Sequence, residues 1–452
     1  MTRPLTYLQH ARAVLVLGIP ITGSHLAQLL INMTDTIMLG WHDVEELAAV
    51  VLAGGFWFTV FILGTGFGIA LMPLVAAANA VGNDVEIRRT TRMALWLSIL
   101  FCMLIMPLMI FSEPIFLAMG QEPEIARLAG VYLKIAGWGI VPALGVNAIK
   151  GYLTGLERTQ FILYTTIAAA ILNGLINYVL IFGNFGAPEL GIRGAAIASV
   201  SVNIFAFVAV CIYAARSIPE HDLFHRIWRP DWQAFSRVFQ LGWPIGLTNL
   251  AEVSLFTGAA VLVGWIGTFE LAAHGIALQV ASFTFLLHLG ISNAATILAG
   301  KAYGRRDEVE LRRAGIAASV ISALVVLITV ILLFVFNETV SGWFVNPSDP
   351  VRPQIVAIAA VLVLYAAAFQ VADAGQVIAM GLLRGVQDTK VPMLMAVFFY
   401  WGVGMPFSYL LAFTFDYGVY GVWTGLVIGL VTAWIAMSLR FWLKSVRIEA
   451  AT

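Results

Sequence analysis

The chain has 452 residues, 60% of them hydrophobic and only 11% charged, with 25 basic residues balanced by 25 acidic ones and a mean hydropathy of +0.91. Such a balance excludes a soluble domain and a basic nucleic-acid binder, and makes lipid the main solvent of the fold. The period-two alternation of a membrane barrel is absent, so the fold class expected is an all-α integral membrane protein.

Apolar runs long enough to cross about 30 Å of hydrocarbon predict twelve helices. They lie at 14–39, 47–78, 93–112, 129–149, 161–183, 190–215, 238–266, 272–299, 314–336, 354–382, 391–415 and 417–440. Basic residues precede the first run, but no small-residue cleavage site follows it, so it reads as a retained span and not a removable signal. On that span His25, Gln28, Asn32 and Asp35 fall within an arc of about 100° at helical spacing. The second carries Gly64, Thr65, Gly66, Phe67 and Gly68, small residues that permit close helix contact; inside a span the run is not a phosphate loop. Thr166, Asn173 and Asn177 line one face of the fifth.

Residues 216–237 form the longest stretch without a span and read as a cytoplasmic linker between residues 1–215 and 238–452. His221 and His225 within it have the spacing of a metal pair but no further clustered ligand, which favours a solvated segment. The seventh span holds Thr248, Asn249 and Glu252, the eighth Gln279 and His288, and the tenth Gln370 and Asp373. His288 reads as a packing residue. Pro20, Pro107, Pro142, Pro244 and Pro406 mark helices that can bend. Cys102 and Cys211 both fall inside spans, so no disulfide is expected.

Orientation follows from the basic residues, which are retained on the cytoplasmic side. The N-terminus, the even-numbered connections and the C-terminal tail hold 21 Lys and Arg, against 3 in the odd-numbered connections. Both termini of this multi-pass chain are therefore expected in the cytoplasm.

The chain also repeats itself. At one offset of 224 residues Pro20 falls on Pro244, Gly40 on Gly264, Glu46-Leu47-Ala48-Ala49 on Glu270-Leu271-Ala272-Ala273, and Val85 to Arg89 on Val309 to Arg313. Farther on, Gly151, Leu153, Gly155 and Thr159 match Gly381, Leu383, Gly385 and Thr389. Two pseudo-symmetric halves of six spans are expected. Yet Asp35 pairs with Ala259, Glu252 with Gln28 and Asp373 with Ala143, so the three carboxylates are laid asymmetrically on a duplicated frame.

An acidic residue at the centre of a span costs about 2.5–3.5 kcal/mol on insertion scales, which makes each one a functional candidate. A membrane carboxyl group can hold a proton or attract a cation, and competition between a coupling ion and a cationic substrate is the minimum chemistry of an antiporter. Asp35, Glu252 and Asp373 are therefore candidate cation-coupling residues. Gln28, Asn32, Asn173, Asn177, Thr248, Asn249, Gln279 and Gln370 are candidate supporting or cavity-lining groups, able to bond the carboxylates, complete an oxygen shell or tie helices together. No basic partner is found at matching depth. No ATP-binding motif, catalytic triad or structural metal motif occurs, so no cofactor or enzymatic activity is expected and an ion gradient has to supply the energy.

These residues carry a resemblance. Pro20 with Asp35-Thr36-Ile37-Met38-Leu39-Gly40, the run Gly183 to Gly191, Trp243-Pro244 with Glu252, and Gln370 to Asp373 followed by Gly381-Leu382-Leu383-Arg384-Gly385 together resemble the multidrug and toxic compound extrusion (MATE) transporters of the NorM-type bacterial subgroup, over essentially the whole chain. The resemblance implies two six-helix bundles around a central cavity and export of organic cations across the lipid bilayer of the bacterial inner membrane in exchange for sodium or protons; oligomeric state is not fixed by the sequence, and a monomer is the preferred expectation. It also implies a coupling site at Glu252 and Asp373, where sodium can sit, and a polar site where Asp35 meets Asn173 and Asn177. Helix five carries asparagines where some archaeal members carry an acid, which favours coupling through Glu252 and Asp373. A lipid-linked oligosaccharide flippase of the same superfamily is the nearest alternative and needs a basic cavity, against which the lack of mid-span Arg or Lys argues; an intramembrane enzyme is the more distant one.

Overall fold

A computed structural model describes residues 6–347 and 350–448. Among the described residues twelve helices are long and apolar enough to cross a membrane. They are α1 (Tyr7–His42), α2 (Val44–Ala80), α3 (Asp84–Ile110), α4 (Pro123–Gly155), α5 (Thr159–Phe182), α6 (Ile192–Ser217), α7 (Trp232–Ile266), α8 (Thr268–Gly304), α9 (Glu308–Val335), α10 (Arg352–Gly385), α11 (Lys390–Thr414) and α12 (Gly418–Ser445). Most overrun the hydrocarbon-length windows visible in the sequence. α4 continues past residue 149 to Gly155 and α10 past 382 to Gly385, so Lys150 and Arg384, which hydropathy assigns to connections, are helical residues.

The duplication extends to local chemistry. Asn83 caps α3 by accepting from the Glu86 amide at 3.1 Å, and Asp307 caps α9 by accepting from the Glu310 amide at 2.9 Å. A short helix follows α3 at Ser112–Ala118, and another follows α9 at Asn337–Gly342. α11 is wound as π-helix at Phe398–Gly404 and Leu410–Thr414.

The chain separates into two compact units. One is Gly23–Gly246; the other is Leu247–Thr452 together with Met1–Thr22. The division thus falls inside α1 and α7, and not in the 216–237 segment where the sequence suggests it. Duplicated glycines explain this. In the first unit a Cβ on Gly66 of α2 would strike the Gly242 carbonyl and the Gly246 amide of α7, so the start of α7 lies in backbone contact with α2. In the second, a Cβ on Gly18 of α1 would come within 3.3 Å of the Gly290 carbonyl of α8. At the 224-residue offset Gly66 is the counterpart of Gly290, and Gly18 that of Gly242, so one contact has been used twice. Small residues at both faces let the helices approach closely, the main source of helix association in lipid.

The segment between α6 and α7 is also not a solvated linker. It is held to the first unit: Arg92 donates to the carbonyls of Leu223 at 2.8 Å and Asp222 at 2.6 Å, Trp96 donates to the Ile227 carbonyl at 2.8 Å, and Arg89 binds Asp231. That pairing holds the Asp231 carboxyl below the ordinary range, because the Arg89 guanidinium bonds it directly. His221 is buried, with its Nδ1 2.8 Å from the Tyr152 hydroxyl, whereas His225 is exposed beside Asp222, so the two histidines share no face. α7 begins at Trp232, before the segment was expected to end.

Packing within each unit follows the same duplicated logic. Gly151 and Gly155 of α4 meet Gly68 and Val75 of α2, while Gly381 and Gly385 of α10 meet Ser292 and Ala299 of α8. In the second unit hydroxyls reinforce the seam, with Ser292 donating to the Val377 carbonyl at 2.7 Å and Thr296 to the Gly381 carbonyl at 2.9 Å. This tight seam carries α10 beyond hydrocarbon length and brings Arg384 to its buried position. Both cysteines are free thiols.

Candidate functional site

Each unit gathers its own polar cluster. In the first, Asp35 on α1 accepts at Oδ1 from Asn173 Nδ2 at 2.9 Å and Asn177 Nδ2 at 2.5 Å, both on α5. Ser199 on α6 donates to Oδ2 at 3.2 Å. Three donors converge on a group that is acceptor-only when ionised, an arrangement suited to a carboxylate. Asn177 and Asn173 are buried on one face of α5, and the Asn177 Oδ1 has no partner. The structure therefore joins Asp35, Asn173 and Asn177, and adds Ser199. Gln28 and Asn32, on the same stripe of α1, are exposed, and neither shares in these hydrogen bonds.

The second cluster is built from α7, α10 and α11. Glu252 of α7 and Asp373 of α10 lie near enough for their charges to act on each other, and Arg384 of α10 and Tyr400 of α11 share that field. Asp373 and Tyr400 are almost wholly buried. Arg384 is 8% exposed and donates from Nη2 to Asn249 Oδ1 at 3.0 Å, one turn before Glu252. This corrects the expectation that no basic residue stands at matching depth: from the extended end of α10 Arg384 comes near enough to Glu252 for their charges to interact, though among the described residues no ion pair joins it to either carboxylate. A π-helical turn of α11 presents the Tyr400 hydroxyl to Gln376, whose amide donates to it. Helices with such turns often border functional sites.

Three oxygens on the inner face of α10 stand without a hydrogen-bond partner although buried: Gln370 Oε1, Asp373 Oδ1 and Gln376 Oε1. They recur every three residues, so they follow one another along a single helix face. Buried acceptors left unpaired cost free energy, and oxygen donors of this kind suit a hard cation. Gln370 is itself held by its amide nitrogen, which donates to Thr329 Oγ1 and lies 3.4 Å from His288 Nε2. His288 is fully buried and its Nδ1 lies 3.0 Å from the Ser322 hydroxyl, so it serves packing and orients Gln370. Gln279 is exposed on α8 and takes no part in the hydrogen bonds of the cluster. Thr248 is buried next to Asn249 on α7. Sequence reasoning missed Arg384, Gln376, Tyr400 and Ser199; the only sign for Arg384 was its place in the Gly381 to Gly385 motif.

The MatE family model matches residues 20–179 and 244–410, one segment in each half of the duplication. The chain belongs to the MatE family. Among curated relatives it is 44% identical to the probable multidrug resistance protein NorM of Rhizobium meliloti (strain 1021), over 98% of this chain and 95% of that protein. It is 43% identical to the protein of the same name from Agrobacterium fabrum (strain C58 / ATCC 33970), over 96% and 94%. Among solved structures, MATE in the bent conformation superposes with a TM-score of 0.89 at 20% identity, covering all of both chains. The eukaryotic MATE transporter AtDTX14 does so with 0.88 at 17% identity, covering 98% of each. At those identities the likeness concerns the fold. In this MatE protein both polar clusters lie inside the matched segments, apart from Ser199.

Proposed function

We propose that the protein is a secondary-active exporter of amphipathic organic cations, driven by inward movement of sodium or protons across the bacterial inner membrane. The observation that carries the reading is the second cluster: the buried Asp373 with the half-buried Glu252 in its field, and three unpartnered oxygens on α10, within a chain whose relatives are named multidrug resistance proteins. In this reading Glu252 and Asp373 take the coupling ion, with Gln370 and Gln376 supplying neutral oxygens. Arg384 limits the net charge, so that one added cation or proton brings the cluster near neutrality. Asp35, held ready by Asn173, Asn177 and Ser199, takes the cationic part of the exported compound. For one charge the membrane potential contributes about 2.3 kcal/mol per 100 mV, which sets the direction of transport independently of substrate affinity.

A lipid-linked oligosaccharide flippase needs basic groups free to hold pyrophosphate. Arg384 and Lys150 do stand within spans, but the Arg384 guanidinium is engaged by Asn249 and shares the field of Glu252, and Lys150 in the other unit is a single ammonium where a pyrophosphate needs several positive groups together, which favours the exporter. The protein works as a monomer with both termini in the cytoplasm. Terminal fusions to reporters active only inside or only outside the cell check the orientation.

The deciding experiment is movement of a fluorescent lipophilic cation in proteoliposomes under an imposed sodium gradient and, separately, a proton gradient. Stimulation by one gradient identifies the ion, and Asp373→Asn abolishes that stimulation while the protein inserts normally. Gradient-dependent transport that persists in Asp373→Asn rules out the coupling role. Failure of both gradients in the unmodified protein returns the flippase to first place.

A further inference from the structure

The first unit holds a second charged group that the proposed chemistry leaves idle. Lys150 lies in α4, about one and a half turns before its end at Gly155, and its Nζ is 3.1 Å from Thr166 Oγ1 on α5. The Thr166 hydroxyl donates to the Ile162 carbonyl at 2.8 Å, which leaves its oxygen to accept from the ammonium. Thr166 is seven residues inside α5, about 10 Å from that helix end. A lysine near the end of a span ordinarily extends toward the interface; this one reaches toward mid-membrane. An ammonium offers three donors and here has one hydroxyl acceptor, and no carboxylate pairs with it among the described residues. His25 of α1 stands close enough to share its field. Thr166 is buried, while Lys150 and His25 are partly exposed, so the charge is sheltered and still reachable.

The same face of α5 continues to Asn173 and Asn177, which bind Asp35. Seven residues separate Thr166 from Asn173, about 10 Å along the helix. The unit therefore presents an anion at one end of a polar ladder and a cation at the other. We propose that Lys150 and Thr166, with His25 beside them, form a subsite for the carboxylate of a transported zwitterion whose cationic end sits at Asp35. The inference rests on the export reading and names the residues that receive the anionic end; the rise of about 10 Å from Thr166 to Asn173 sets the order of the charge separation that such a molecule needs.

A matched pair of dyes tests it, a rosamine whose pendant phenyl carries a free carboxylate in the para position, extended away from the cationic amino nitrogens, and the methyl ester of the same dye, each titrated by fluorescence polarisation against the full chain in lipid nanodiscs. Lys150→Gln weakens the carboxylate dye about tenfold and leaves the ester within about twofold; Lys150→Arg retains the preference. Thr166→Val, which keeps the charge and removes the hydroxyl, gives a smaller loss confined to the carboxylate dye, and serves if Lys150→Gln does not fold. Equal effects on both dyes, or none on either, overturn the subsite. Binding of the ester without the carboxylate dye by the unmodified protein overturns the subsite alone, whereas binding of neither overturns the export reading beneath it.

Discussion

Replacing Asp35 with Asn tests the first cluster most directly, because the change removes a charge and almost no volume. In the folded protein the carboxylate accepts three hydrogen bonds, from Asn173, Asn177 and Ser199. Bonds to a charged group contribute about 1.5–3 kcal/mol and neutral ones about 0.5–1.5 kcal/mol, so the variant loses roughly 1 kcal/mol per bond. Relief from holding a charge inside the membrane offsets much of that loss, and Asn173 and Asn177 can rotate their amides to accept from the new side chain. Stability is thus expected to change by no more than about 2 kcal/mol. Binding has no such compensation. A monovalent organic cation about 4 Å from the carboxylate gains about 4 kcal/mol at an effective dielectric of 20, part of which desolvation consumes. A net loss of about 1.4–2.8 kcal/mol corresponds to a ten- to hundredfold rise in Kd. Titration of purified Asp35→Asn with tetraphenylphosphonium, which has no proton to exchange, measures it in one step. An unchanged Kd in a variant of normal thermal stability refutes placement of the substrate cation at Asp35.

Three further outcomes follow from the geometry. Arg384→Met leaves Glu252 without a positive neighbour and Asn249 Oδ1 without its donor; a loss of about 3 kcal/mol is expected in thermal unfolding, and Glu252→Gln in the same chain recovers a large part of it. Gly66→Val and Gly290→Val force apart helices that touch through their backbones, so both lower the unfolding temperature by several degrees, and an unaffected Gly290→Val negates the duplicated contact. The Arg89–Asp231 pair stabilises the folded protein while Asp231 is ionised. Because its folded pKa is depressed, that contribution is complete above the unfolded value of about 3.9 and is lost as pH falls through the lower folded value; the pair is partly exposed, so Asp231→Asn changes neutral-pH stability by no more than about 1 kcal/mol and flattens the pH dependence below pH ~4.

Much of the architecture was legible before any coordinates. Hydropathy sums over consecutive residues, so the twelve spans appear wherever the chain must lie in lipid, and the repeat from Gly18 and Gly242 onward marks two related halves. The isolation of Asp35, Glu252 and Asp373 in apolar surroundings made them stand out, since a charge in hydrocarbon is costly wherever its partners come from. Partners are another matter. Asn249 meets Arg384, Asp35 meets Asn173, and Lys150 meets Thr166 across helices whose rotation and length depend on how they pack. A window of hydropathy ends α4 and α10 where the hydrocarbon does; the glycine seams against α2 and α8 carry them farther and turn two apparent loop cations into membrane residues. The exchange of the first parts of α1 and α7 between units likewise depends on backbone contacts at Gly18, Gly66, Gly242 and Gly290. Composition and spacing alone thus determined what lies in the membrane and which charges are out of place there. Which groups answer those charges was decided only by tertiary packing, because a side chain reaches a few ångströms and its neighbours within that distance come from far along the chain.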